Sequence, residues 1–133
     1  MAFKKRTCTL TVSGTTASAT LGLGAAYGRI IGFSALSVGT STTQKLTITD
    51  ADSLVCYADA AAADYDSARV NKIITVDNTA TGATVWTGQD NTGAAAAAGE
   101  PAGHVVARSP VTVSVAESEG GNEVITFALY VEV

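Results

Sequence analysis

The sequence predicts an all-β fold, a single antiparallel β-sandwich or jelly-roll-like barrel of about nine short strands with long Ala/Gly-rich loops. Three observations predict it. The 133-residue chain is rich in Thr and Gly, with 19 and 13 residues, whereas only 15% of its residues are charged. Apolar and polar side chains alternate along most of its length, which is the period of a half-buried strand. No segment is long enough and of the right period for a stable helix.

Two alternating segments begin the chain. Residues 6–12 and 17–23 each carry apolar side chains on one face, namely Cys8, Leu10 and Val12 in the first and Ala17, Ala19, Leu21 and Leu23 in the second. The Ser13-Gly14 step between them has turn chemistry and predicts a turn. Residues 29–38 are apolar on both faces, so this segment is expected to form a central strand.

A hairpin is predicted next, with strands over residues 45–50 and 54–57 and a turn whose Asp50 and Asp52 side chains can bond its backbone. Residues 58–67 are rich in Ala and Asp, which is compatible with one helical turn or an irregular excursion. Strand periodicity resumes over residues 70–76 and, after a turn, over residues 83–86.

The remaining chain predicts one long loop and three closing strands. Residues 88–103 contain four Gly, Pro101 and a run of five Ala, and a loop of this length in a compact domain is usually functional or mobile. The strands are expected over residues 105–108, 111–115 and 124–133. Residues 117–122 would then form the loop of a final hairpin.

Charge divides the chain into a basic N-terminal arm, residues 1–6, and a single acidic domain, residues 7–133. Lys4, Lys5 and Arg6 supply three of the eight basic residues, and all twelve acidic residues lie beyond them. The arm either aids solubility or docks on an acidic partner, because exposed charge steers association. An acidic body would repel phosphate, so nucleic acid is not expected as a partner. The sequence contains no run of 18 apolar residues, so no membrane-spanning helix is predicted. The alternation over residues 7–12 argues against a signal peptide.

Residues that could carry chemistry are few, so we expect no enzyme, no metal and no cofactor. His104 is the single His, and no Gly-x-Ser-x-Gly elbow surrounds any Ser, so a hydrolytic triad is not indicated. The densest carboxylates lack the Gly and the distal Glu of a calcium loop. These carboxylates are Asp50, Asp52, Asp59, Asp64 and Asp66.

Cys8 and Cys56 both fall on predicted strands with apolar neighbours, and Trp86 lies at the start of the long loop. Buried free thiols are therefore expected, with a disulfide between the two strands as the alternative. Trp86 is either a core residue or a contact residue on a recognition loop, since Trp is enriched at interface hot spots.

The order of elements resembles the small head proteins of tailed bacteriophages. The resemblance spans residues 27–133 and is carried by the hairpin of residues 45–57, the Ala/Asp-rich excursion, the Gly/Ala-rich loop, the segment Ser109–Val115 and the closing strand of residues 123–131. It implies a capsid decoration or cement protein, a β-sandwich that binds the outside of the major capsid lattice, often as a trimer, and resists expansion pressure. The long Ala-Gly loop departs from this pattern.

The expected function is therefore that of a non-enzymatic virion protein that stabilises the outer surface of a phage capsid. Its expected partner is the major capsid protein, and it is expected to form a homo-oligomer, with a trimer favoured. It would be made in the host cytoplasm and located on the capsid exterior. Candidate capsid contacts are Phe3, Lys4, Lys5, Arg6 and Trp86.

Other functional classes stay open on the sequence alone. One is a carbohydrate-binding or adhesive β-sandwich of a virion or cell surface, which would show exposed aromatic side chains or calcium carboxylates at one end. Another is a small hydrolase that uses His104. Other structural roles include a head-fibre base or a tail-tube component.

Overall fold

A computed structural model of the protein describes residues 2–38, 43–59, 65, 70–74, 76–77, 101–103 and 105–133. Across this part of the chain, all regular secondary structure is β-strand, and the strands pair antiparallel. The main sheet closes nearly into a barrel. The predicted all-β class is therefore confirmed. No helix in the described ranges has the length and apolar character needed to cross a membrane.

The strands, in chain order, are β1 (Phe3–Leu21), β2 (Tyr27–Val38), β3 (Lys45–Thr49), β4 (Val55–Ala58), β5 (Val70–Ile73), β6 (Val76–Asp77), β7 (Pro101–Gly103), β8 (Val105–Arg108) and β9 (Val111–Glu132). β6 and β7 form a separate two-stranded ladder, and the others belong to the main sheet. The predicted hairpin of residues 45–57 is confirmed as β3 and β4.

β9 organises the main sheet because it pairs along both of its edges. One edge pairs with β1 over almost the whole length of both strands. The other edge pairs with β3 over residues 112–116 and with β2 over residues 124–132. β2 in turn pairs with β8 and β5 on its far edge, so the expectation that it is a central strand is confirmed.

The predicted turn at Ser13-Gly14 is wrong, because β1 runs through it as one 19-residue strand. Gly14 has φ +94°, and the pairing register shifts between Gly14 and Thr16. One residue of β1, Thr15, thus lies opposite four residues of β9, residues 117–120, so this is a bulge larger than the one-residue form, with Gly14 in the left-handed region. The bulge changes the phase of β1, so the two predicted apolar sets still face the same interior.

The predicted hairpin loop over residues 117–122 is also wrong, since β9 is continuous from Val111 to Glu132. Its register with β1 is interrupted over residues 117–120, next to the Gly14–Gly121 pair, so this segment of β9 lies at the bulge. Pro101–Gly103, expected to end the long loop, forms β7 instead. The rest of that loop and the predicted strand of residues 83–86 lie outside the described residues, as does most of the 58–67 excursion.

The core lies between the inward faces of β1, β2, β3, β4 and β9. Phe33 on β2 stacks on Phe127 of β9 at a ring-centroid distance of 5.4 Å and meets Tyr57 of β4 edge-on at 5.0 Å. Leu10 and Val12 fill the same interior from β1 and are 1% and 0% exposed. Burial of this apolar surface is the main stabilising term of the fold.

Asp50, at the turn between β3 and β4, joins that hairpin to β8. Its carboxylate accepts the backbone N–H groups of Asp52 at 2.9 Å, Leu54 at 3.0 Å and Arg108 at 3.2 Å. The Ala51 N–H donates to the Arg108 carbonyl at 3.0 Å. These hydrogen bonds connect the β3–β4 hairpin to β8 and thereby help to close the barrel.

The bulge glycine gives a first prediction. Gly14→Ala should lower the free energy of unfolding by about 1–2 kcal/mol, because a Cβ strains the left-handed backbone. Gly22→Ala is the matched control, since neither position has an atom within 4 Å of an added Cβ and only Gly14 has a positive φ. Urea denaturation measures both variants, and equal stability of the two would contradict the bulge assignment.

The Asp50 carboxylate gives a second prediction. Asp50→Ala should cost about 2–4 kcal/mol, because it removes a buried carboxylate that accepts three part-buried backbone N–H groups and leaves them without that acceptor. Asp52→Ala removes an exposed ion pair with Arg108, whose side chain is 51% exposed, and should cost less than about 1 kcal/mol. Thermal unfolding followed by circular dichroism compares the two, and an equal loss would argue against a structural role for Asp50.

Candidate interaction surface on the first strand

The predicted contact residues of the N-terminal arm form the first four residues of β1. Phe3, Lys4, Lys5 and Arg6 pair in register with Glu132, Val131, Tyr130 and Leu129 of β9. The structure thus brings these four candidates together on one strand. Trp86, the fifth candidate, lies outside the described residues.

The backbone of β1 presents an open edge. Ala2 and Val133 exchange two backbone hydrogen bonds, at 2.7 and 3.0 Å, so they form a hydrogen-bonded pair. Hydrogen-bonded and non-hydrogen-bonded pairs alternate in an antiparallel ladder, and the register is uninterrupted as far as Gly14. Every second residue therefore points its N–H and C=O away from β9. We call this row the open edge, and its residues are Phe3, Lys5, Thr7, Thr9 and Thr11.

Within the described part of the chain, β1 pairs with β9 alone, so none of the described strands covers the open edge. The side chains of the five open-edge residues lie on the outer face of the sheet, and all five residues are exposed. An unpaired edge of this kind is a template for adding another strand.

The outer face beside the open edge holds an aromatic pair and a shallow groove. Phe3 is 63% exposed, and its ring lies 6.3 Å from that of Tyr130. The groove has a volume of about 270 Å³. Lys5 and Leu36 line it together with small side chains, which are Thr7, Ser34, Thr126 and Ala128.

The three basic residues of β1 differ in their surroundings. Lys4 and Lys5 are exposed, and among the described residues neither has an ion-pair partner. Arg6 is half-buried, and its guanidinium donates to the Leu23 carbonyl at 3.4 Å and lies against Gly24. The positive φ of +86° favours glycine at position 24, and a Cβ there would also displace the Arg6 guanidinium. Lys4 and Lys5 are thus the cations available to a partner.

The acidic residues considered as metal ligands are used to hold the fold where they are described. Asp50 binds backbone N–H groups, and Asp52 pairs with Arg108 at 2.6 Å. Asp64 and Asp66 lie outside the described residues, as does His104. No three His, Cys, Asp or Glu residues in the described ranges are grouped to hold a metal ion.

Asp59 accepts hydrogen bonds from two phenols. Tyr57 donates at 2.5 Å and Tyr65 at 2.6 Å, while the backbone N–H of Leu46 donates at 2.8 Å. Burial, followed by the Asp59 carboxylate, raises the pKa of the Tyr65 phenol well above its usual range. Tyr65 therefore stays protonated and acts as a donor that fixes the carboxylate, which is a structural arrangement.

Both cysteines are free thiols, and Cys56 is buried as predicted, whereas Cys8 is only half-buried. Burial raises the pKa of the half-buried Cys8. Burial and the nearby Asp50 carboxylate raise the pKa of Cys56 to about 12. Because the thiolate is the nucleophilic form, neither thiol is activated for covalent chemistry near neutral pH.

A buried polar cluster, which the sequence reasoning missed, lies where β2, β3 and β9 meet. The Gln44 side chain donates to the Ser37 hydroxyl at 2.8 Å, and Ser37 donates to Glu123 at 3.3 Å. Glu117 is 5% exposed, and neither of its carboxylate oxygens has a hydrogen-bond partner. Alternation could have found both acids, because Glu117 is in phase with Val115 and Glu123 with Ile125.

Comparison of the chain with protein families, curated proteins and solved structures finds no match.

The two buried glutamates should respond in opposite directions to loss of charge. Glu117→Gln should raise the free energy of unfolding by about 1–3 kcal/mol, because a buried charge without a partner is costly. Glu123→Gln should lower it, since Glu123 accepts the Ser37 hydroxyl. Urea denaturation at pH 7 measures both variants, and destabilisation by Glu117→Gln would show that its carboxylate has a role the geometry does not explain.

Proposed function

We propose that the chain is a non-enzymatic structural protein of a phage virion that binds the outer surface of the capsid lattice as a decoration or cement protein. Its proposed partner is the major capsid protein, and its proposed state is a homo-oligomer, with a trimer favoured. A sandwich or jelly-roll-like arrangement is part of the same proposal. It would be made in the host cytoplasm, be located on the capsid exterior and need no cofactor.

The open edge of β1 is the observation that carries this proposal. It combines unpaired backbone groups with an exposed aromatic side chain, Phe3, and two exposed cations, Lys4 and Lys5. Backbone groups at a sheet edge give affinity to an added strand, while neighbouring side chains give specificity. A protein that holds a lattice of another protein needs a surface of this kind.

The outer face supports the proposal through its low entropy cost of binding. Thr side chains dominate β1 on this face, and the groove floor is formed by Ser34 and Ala128, which are 4% and 6% exposed. Short side chains lose little rotamer freedom when another surface covers them. Repetition over a lattice then multiplies weak contacts, because neighbouring copies raise the effective concentration of one another.

A carbohydrate-binding or adhesive module is the second candidate, and the Phe3–Tyr130 pair favours it. An exposed aromatic ring offers a flat apolar face of the kind that a sugar ring packs on. A glycan array tests this function. The wild-type protein should bind a glycan on the array, and Phe3→Ala should lose that binding.

Co-sedimentation with empty capsids of the phage that encodes the chain tests the capsid proposal. The wild-type protein should sediment with capsids and raise their resistance to heat. Lys5→Glu should weaken binding about tenfold, because reversing one exposed charge at a complementary surface replaces attraction by repulsion. Binding should also weaken as salt is added.

Lys45→Glu is the matched control, since Lys45 is an exposed lysine on β3, away from the open edge. It should bind capsids within about twofold of the wild type. Absence of co-sedimentation by the wild-type protein at high concentration would reject the capsid proposal. An equal loss for both lysine variants would assign the effect to net charge and reject β1 as the contact.

A further inference from the structure

We infer that the open edge of β1 takes up an extended acidic segment of the capsid partner as an additional antiparallel or parallel strand. This inference rests on the proposed function for the identity of the partner, and it deepens that function by naming the mode of contact. The edge itself is a property of the described residues and can be tested without any capsid.

The length of the uncovered backbone favours a strand as the occupant. From Phe3 to Thr11, every second residue directs a donor and an acceptor away from β9, without a break in the register. No Pro interrupts this stretch, and the bulge at Gly14 lies beyond it. An added strand would satisfy this row of groups with main-chain hydrogen bonds, which a globular surface contact could not do.

Charge favours an acidic occupant. β1 contains three basic residues and no acidic residue over its 19 positions. Lys4 lies on one face of β1 and Lys5 on the other. An added strand with carboxylates beside these two residues would therefore meet a cation on either face. Other described arginines are already paired, Arg29 with Glu132 at 2.5 Å and Arg108 with Asp52 at 2.6 Å.

Charge also disfavours a second copy of β1 as the occupant. Another β1 brings three more basic residues and no carboxylate to the same ribbon. Lysines on sheet edges are a known device against edge-to-edge association of identical chains. The same lysines attract an acidic strand, so they favour an acidic strand over a second copy of β1 and do not simply block the edge.

Proline substitution at Thr9 isolates the edge contact. The Thr9 N–H points away from β9, so Thr9→Pro removes a donor from the open edge without removing a hydrogen bond of the β1–β9 ladder. Thr9→Ala is the matched control, because it shortens the same side chain and keeps the N–H. Thr7→Pro repeats the test at the preceding open-edge position.

The first probe is a labelled peptide of alternating Val and Glu, long enough to span Phe3–Thr11, with a Val/Lys peptide as its counterpart. The wild-type protein and Thr9→Ala should bind the acidic peptide and discriminate against the basic one by at least about tenfold. Thr9→Pro and Thr7→Pro should weaken acidic-peptide binding at least about tenfold. Equal binding of the two peptides, or full binding by both proline variants, would overturn the inference.

Amide hydrogen exchange tests the same contact in the unmodified protein, so it does not depend on the proline variants folding. In the free protein, the Thr7, Thr9 and Thr11 amides should exchange faster than those of Cys8 and Leu10, which face β9. The acidic peptide should protect the first three. Unchanged exchange at these amides in the saturated complex would place the peptide elsewhere and overturn the inference.

Two further outcomes keep the inference separate from the proposed function. If Thr9→Pro co-sediments with capsids as well as Thr9→Ala does, strand addition is wrong although capsid binding stands. If the peptide results hold but the wild-type protein ignores capsids, the edge stands and the capsid partner is wrong. Self-association of the wild type that Thr9→Pro abolishes, measured by light scattering, would assign the edge to a second copy and overturn the acidic-partner assignment.

Discussion

The structure depends on the double pairing of β9. This strand is hydrogen-bonded to β1 on one edge and to β3 and then β2 on the other, so it joins the N-terminal strand to both halves of the sheet. Its inward side chains between Val111 and Val131 are buried wherever their burial is described. Because the last segment of the chain occupies the centre of the sheet, β1 has no paired neighbour without it, and β2 and β3 are joined to one sheet only when it is in place. Long-range contacts of this kind also make folding slow relative to that of local topologies.

The bulge follows from the same pairing. A long two-stranded ribbon that wraps around a barrel must twist and bend, and a glycine at positive φ provides the bend without ending the strand. Gly14 of β1 lies opposite Gly121 of β9 at this point, so both strands can bend where they meet. Ser13–Thr16 are all exposed there, while the residues before and after return to the interior. The bend therefore costs no core contact.

Sequence periodicity was sufficient for the faces of the strands and insufficient for their ends. Leu10, Val12, Ala17 and Leu21 were placed on the correct face, because burial of alternate residues is a local property. The Ser13-Gly14 step and the Gly-rich residues 117–122 looked like turns, because the same glycine serves a tight turn or a bulge. Only the partner strand decides between them. The hairpin of residues 45–57 was predicted correctly, since its Asp-rich turn bonds its own backbone.

The candidate surface could be predicted in part for a similar reason. Composition identified the cations of residues 4–6, whereas their unequal availability came from Arg6 bonding the Leu23 carbonyl, a contact between segments distant in sequence. The open edge was also beyond local reasoning, because whether a strand lies at an edge depends on the topology of the whole sheet. Glu117 and Glu123 were hidden by their charge, although their phase within β9 indicated burial.

The distribution of charge gives the open edge its specificity. Most described charged side chains of the acidic domain are held by internal partners, as Asp50, Asp59 and Arg29 show. The charges of these side chains are therefore partly neutralised by their partners. Lys4 and Lys5, in contrast, remain exposed on a strand without carboxylates. Lys4 and Lys5 lie at one end of the open edge, whereas Thr7, Thr9 and Thr11 beyond them are neutral. Cations at one end and neutral residues beyond them suit an edge that admits one strand, in a register set by charge.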